Sequence, residues 1–236
     1  MATTRTIINA WENRYLPDIF YEQPNQGNDS VPQEARIIRL LRSLYANRSD
    51  VFISGMVSIS YKVPDDIARF APEFFIALDV PDATIRRDSP NFFIWKLGKS
   101  PDFVIEIASP STAENDLGIK RDLYAELGIA EYWRFDPTGG ELYGQPLAGE
   151  RLVEGGYQPY ALHTKEDGSV HGYSKLLDLD FCWDGNEFDV LDPETGRTID
   201  PLEAEREARE TERLEFEARE RELLDELNRL RSQMND

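Results

Sequence analysis

Residues 101–137 read PDFVIEIASPSTAENDLGIKRDLYAELGIAEYWRFDP, and this stretch decides the fold. It opens on a strand. Strand side chains alternate with period two, so Asp102, Val104, Glu106 and Ala108 share one face, while Phe103, Ile105 and Ile107 line the other. A strand buried among apolar neighbours must neutralise its acids, pair them, or give them to a metal. The run LGIKRDLYAEL then has a helical pattern over 116–127, with Lys120 near its start, and 131–136 is a second strand. Strand, helix and strand in succession predict an α/β arrangement with a crossover helix.

Working outward, QEARIIRLLRSLYANR carries a helical stripe of Ile37, Ile38, Leu40, Leu41, Leu44 and Tyr45. VFISGMVSISY, from Val51 to Tyr61, alternates as a strand, and Glu73 to Val80 is a further apolar run of strand length. Residues 81–100 read as a loop with a short ribbon around FFIW, carrying Arg86, Arg87, Lys96 and Lys99. From 139 to 200, Gly139-Gly140, Gly155-Gly156, Asp167-Gly168 and Asp184-Gly185 punctuate short aromatic strands, which predicts β-hairpins. Two units follow: a domain over 1–200 and a charged helix over 201–236. In that helix Phe216, Leu223 and Leu230, with Leu227 and Met234 between them, suit either a solvated single helix or a short coiled-coil seam for a homodimer.

Composition narrows the function. No apolar run is long enough to span a membrane, and the N-terminus lacks the pattern of a secretion signal. With Cys182 the one cysteine, an internal disulfide is excluded. These features predict a cytoplasmic protein. The net charge of −19 opposes non-specific binding to nucleic acid, which needs Lys and Arg against phosphate. A divalent cation and a local basic groove could offset it at one site.

Two strand acids with a lysine close behind are the minimal kit for metal-dependent phosphodiester hydrolysis. Such a reaction needs a metal-activated water and stabilisation of developing charge. Glu106 is the leading ligand because it lies mid-strand among apolar neighbours; its alternative is a buried pair with Arg or Lys. Glu73 starts the Phe-rich strand, with Asp79 on the same face, and either meets Glu106 if the strands pair. Asp102 is either a ligand or a polar strand start. Lys120 lies near the buried stripe of its helix, where snorkelling is the common outcome. Asp116 caps that helix. His163 and His171 have no zinc spacing and read as surface residues, and Cys182 reads as buried.

PDFVIEIASPST and DLGIKRDLYAELGIAEYWRFDP, with VFISGMVSISY, APEFFIALDV and the late DG…LLDLDF…LDPETGR, resemble the Uma-two-type family of bacterial restriction endonucleases. That family lies within the PD-(D/E)XK nuclease superfamily, and the resemblance spans roughly residues 30–200. It implies a restriction-endonuclease-like mixed sheet flanked by helices, with a metal site on two central strands. By position, Glu73 stands where the family shows the Asp of Pro-Asp, and Glu106 is the acid of the central strand. The superfamily lysine usually falls two residues later, here Ala108; the resemblance assigns its role to Lys120. Gln33 and Arg36 lie where a polar group could approach the site.

The resemblance therefore implies a Mg²⁺-dependent endonuclease acting on DNA, with Mn²⁺ as a substitute. Glu73 and Glu106, the main-chain carbonyl of Ile107, and Asp102 would hold the metal. A second expectation is of another class: a nuclease-fold scaffold or binding protein working through its C-terminal helix. Glu73 in place of Asp and the acidic surface favour that reading.

Overall fold

In the computed structural model, the described residues are 37–199 without 39, 43, 46–47, 56, 62–68, 81–84 and 86–90, together with 209–210, 213–214, 216 and 218–221. The chain divides into two compact units, 1–199 and 200–236.

The first unit is built on a six-stranded mixed sheet in the order β1-β4-β6-β7-β8-β9. Its strands are β1 (Val51–Ser54), β4 (Phe74–Leu78), β6 (Phe103–Ile107), β7 (Glu131–Phe135), β8 (Leu147–Val153) and β9 (Gly156–Pro159). Only β6 and β7 are parallel, and every other neighbouring pair in this sheet is antiparallel. A parallel pair needs a crossover; here it is α2 (Ala113–Leu117) and α3 (Ile119–Leu127). The single helix expected over 116–127 thus begins earlier and is broken at Gly118, whose φ of −116° and ψ of −98° are not helical.

Each face of the sheet covers a core. Val104, Phe75, Phe52 and Tyr132 point to one side, where Leu123, Tyr124 and Leu127 of α3 meet them. The same side packs the small sheet of β3 (Arg69–Phe70), β2 (Ile59–Ser60) and β5 (Phe92–Phe93), the last leading into α1 (Ile94–Leu97). Phe103, Ile105, Trp133 and Phe135 point to the other side. There they meet Ile37, Leu40 and Leu41, which are helical, and an antiparallel sheet of β10 (His163–Thr164), β11 (Val170–Ser174), β12 (Leu179–Trp183) and β13 (Phe188–Leu191). The period-two split of β6 is therefore the split between the two cores.

Two expectations for the first half of the chain change. The strand read over 51–61 is two strands in different sheets, β1 and β2. Gly55 marks the break: a Cβ there would lie 2.5 Å from the carbonyl oxygen of Glu73, so the chain passes too close to β4 for any side chain. The ribbon expected around FFIW is a two-residue strand followed by a helical turn. The hairpin half does form hairpins.

Glu131 fastens the two sheets. This buried carboxylate accepts bonds from Trp133 Nε1 (3.0 Å), Tyr160 Oη (2.6 Å), Ser174 Oγ (2.6 Å) and Leu176 N (2.8 Å). Trp133 in turn stacks on Tyr160 and meets Phe181 edge-on. Gly149, its partner across β8, leaves room for the indole, since a Cβ would lie 2.6 Å from the ring. Truncation at Glu131 strands four donors, each costing about 1–3 kcal/mol when buried and unpaired. Glu131→Ala is expected to lower unfolding stability by at least about 3 kcal/mol, read from the urea midpoint. A loss under about 1 kcal/mol would mean that the sheets are held elsewhere.

In the second unit the described residues 209–210, 213–214, 216 and 218–221 are helical and exposed, Leu214 and Phe216 among them. Leu223, Leu227, Leu230 and Met234 of the expected seam lie outside the described residues. Among the described residues, no helix is long and apolar enough to cross a membrane.

Candidate active site

Glu106 sits on β6 facing α3, with no exposed surface. Apolar neighbours on both sides make the strand; the carboxyl is then trapped where the crossover closes over it. Tyr124 Oη donates to Glu106 Oε1, and Lys120 Nζ lies 3.5 Å from the same oxygen. Glu106 Oε2 receives a long contact of 3.4 Å from the backbone N–H of Glu73.

Lys120 does not snorkel. Its ammonium is buried in the first turn of α3 and lies 2.8 Å from Asp116 Oδ1, four residues earlier on α2. Asp116, also wholly buried, accepts a 2.6 Å bond from Tyr143 Oη at its other oxygen. Its main-chain carbonyl accepts a 2.9 Å bond from Tyr132 Oη. The break at Gly118 lets the two helical segments present Asp116 and Lys120 to one spot. Asp116 is thus no helix cap but the residue that anchors Lys120. The spacing of an acid and a lysine four apart was the available signal.

Glu73 precedes β4. Phe74 pairs with Ile105, so the antiparallel register places Glu73 opposite Glu106. Among the described residues its Oε2 is buried without a hydrogen-bond partner. Asp102 is not brought to this spot: it accepts from Leu78 N at 2.7 Å and pairs with Lys99 at 2.9 Å, at the far end of β6. Asp79 is exposed and lies 3.8 Å from Arg48. The Ile107 side chain packs into the second core. Gln33, Arg36, Arg86 and Arg87 lie outside the described residues, and Lys96 is exposed over the ring of Phe93.

Burial dominates the electrostatics. It raises the Glu106 carboxyl to about 8, against the attraction of Lys120 and with added repulsion from Asp116. Burial and the neighbouring Glu106 raise Tyr124 well above the ordinary phenol, so it remains a donor.

The histidines divide. His163 is exposed, whereas His171 is buried, with Nδ1 3.0 Å from Asp180 and Nε2 3.0 Å from Ser169 Oγ and 3.3 Å from Cys182 Sγ. Burial pushes the Cys182 thiol up to about 11, so it stays protonated near neutral pH.

A model of the Uma2 family, described as "Putative restriction endonuclease", matches residues 10–172. The chain belongs to this family. That span contains Glu73, Glu106, Asp116 and Lys120. A solved structure, of "a putative nuclease belonging to DUF820" from Anabaena variabilis ATCC 29413, is similar at 13% identity and a TM-score of 0.38. The similarity covers 78% of this chain and 84% of that one. Comparison with the curated proteins finds no match.

The resemblance drawn from the sequence implies a divalent metal, and the donors here can be tested against it. The orphaned Glu73 Oε2 and the weakly bonded Glu106 Oε2, opposite each other in register, are oxygen donors in search of a partner, as a hard cation requires. Among the described residues, no three His, Cys, Asp or Glu side chains cluster as a metal site. The residues thus fit a two-carboxylate site completed by main chain and water, which is how Mg²⁺ is often held.

The raised Glu106 carboxyl gives a pH test on the metal-free protein. Below about pH 4.5 folded and unfolded chains both hold the proton; between there and about pH 8 only the folded one does. The folded state binds more protons in that window, so stability falls as pH rises, by up to about 1.4 kcal/mol per unit. Glu106→Gln keeps the shape without the titration. Thermal unfolding from pH 5 to 9 should show the wild type losing stability relative to Glu106→Gln. Parallel pH profiles would mean that Glu106 is already ionised when folded.

Proposed function

We propose that the chain is a Mg²⁺-dependent endonuclease that hydrolyses phosphodiester bonds in DNA. The observation that carries this reading is the buried contact of Glu106 with Lys120, itself anchored by Asp116, beside the unpartnered carboxylate oxygen of Glu73. Structural acids are normally satisfied; a buried carboxylate oxygen left bare beside a second buried carboxyl is a costly arrangement for stability alone.

Glu73 and Glu106 would hold the metal, with the main-chain carbonyl of Ile107 as a third donor. A Mg²⁺ ion held there would lower the pKa of a bound water and neutralise charge on the phosphoryl oxygens; Mn²⁺ would suit the same oxygen ligands. Lys120 orients the attacking water and offsets the charge that develops in the transition state. Asp116, fixed by Tyr143 and Tyr132, keeps the ammonium in place. Tyr124 holds one oxygen of Glu106 and leaves the other for the cation.

The test is nicking of supercoiled plasmid in Mg²⁺. The wild type should cleave, Lys120→Ala should lose at least about a hundredfold in rate, and Glu106→Gln should show no cleavage while both variants remain folded. Undiminished cleavage by either variant would overturn the assignment. Absence of cleavage by the wild type in both Mg²⁺ and Mn²⁺ would favour the scaffold reading.

A further inference from the structure

Arg134 lies on β7 as the parallel register partner of Glu106, so both side chains leave the sheet on the same face, one strand spacing of about 4.8 Å apart. Its side chain is 9% exposed. A buried guanidinium ordinarily has its donors satisfied, yet among the described residues Arg134 Nε has no hydrogen-bond partner. Its Nη1 lies 2.8 Å from Glu150 Oε2, and the group sits 4.9 Å over the ring of Tyr132.

Glu150 does not need Arg134. Arg121, the residue after Lys120, already grips that carboxylate with Nε at 2.9 Å and Nη2 at 2.7 Å. Burial opposes ionisation of Glu150, but the Arg121 hydrogen bond and the charges of both arginines outweigh it and hold the carboxyl below its usual range. Arg121 has a second carboxylate, the exposed Asp122, at 3.9 Å, so two guanidiniums face Glu150 with Asp122 at the rim, beside the proposed metal carboxylate of a chain whose net charge is −19. Arg134 also lines a pocket of about 230 Å³, bounded by Gln145, Ala148, Glu150, Pro159 and Tyr160. That is several times the roughly 30 Å³ taken by a water.

We propose that Arg134, supported by Arg121 and Glu150, forms an anion subsite for a phosphate group of the nucleic-acid strand, beside the one that is cleaved. This deepens the nuclease reading and rests on it for the identity of the ligand. Planar donors match phosphate oxygens two at a time, which is the service a buried arginine gives and a lysine does not. The subsite also explains how so acidic a chain holds a polyanion: binding is concentrated in a short cationic strip rather than spread over the surface.

The experiment uses the full chain. Binding of a fluorescent DNA duplex is measured by anisotropy across a salt series, in the non-cleaving Glu106→Gln background, with Arg134 intact, Arg134→Gln or Arg134→Lys. In parallel, inorganic phosphate is titrated against thermal unfolding of the otherwise wild-type chain and its Arg134→Gln variant. Loss of one phosphate contact should weaken DNA binding at least about tenfold and reduce the salt slope by about one in Arg134→Gln. Arg134→Lys, which keeps the charge opposite Glu150, should fold and retain the slope with weaker affinity. Phosphate should stabilise the wild type but not Arg134→Gln. Arg134-dependent stabilisation by phosphate without DNA binding would uphold the subsite and defeat the nuclease reading. DNA affinity, salt slope and phosphate response all unchanged in Arg134→Gln would overturn the subsite; should that variant fail to fold, unchanged DNA affinity in Arg134→Lys would do the same.

Discussion

Enclosure of the Glu106 carboxyl between the sheet and its crossover helix is the constraint on which the site depends. A lone acid at zero exposure is costly, and the chain meets that cost with Tyr124, Lys120 and, through Lys120, Asp116. All three come from the segment joining the parallel strand pair of the six-stranded sheet. The topology that forces a crossover is therefore also the device that carries a lysine and its anchor back over the strand bearing the acid.

Around that point the two faces of β6 have different work. The face of Phe103, Ile105 and Ile107 is pure packing and continues through Trp133 and Phe181 into the second sheet, where Glu131 ties the layers. The other face carries an acid at each end, Asp102 against Lys99 at one and Glu106 at the other. Glu73, Glu106 and Arg134 lie in one row across β4, β6 and β7, two oxygen donors followed by a cation.

Much of this was legible in the sequence because it is local. Period-two alternation in PDFVIEI places Glu106 on one face and the apolar residues on the other, and the helical stripe places Lys120 near the core. The hairpin half announced itself by its Asp-Gly and Gly-Gly turns. What was not legible depends on register between distant strands. Arg134 becomes notable only once β7 is aligned with β6, and Glu131 only once Tyr160 and Ser174 arrive from other strands. His171 read as a surface residue because its partners, Asp180 and Cys182, lie on the next strand. Asp102 misled for the complementary reason: it shares a face with Glu106 by parity, but four residues of extended chain, about 13 Å, separate them.

The central claim is that Glu106 and Glu73 are kept for a cation and not for the fold. Calorimetric titration of Mn²⁺ into the wild type and into Glu106→Gln tests it most directly. The account predicts one site per wild-type chain, lost in a variant that is otherwise folded and retains the contacts of Tyr124 and Lys120. Equal binding by the two proteins, or none by either, would contradict it and make the buried acid a structural group.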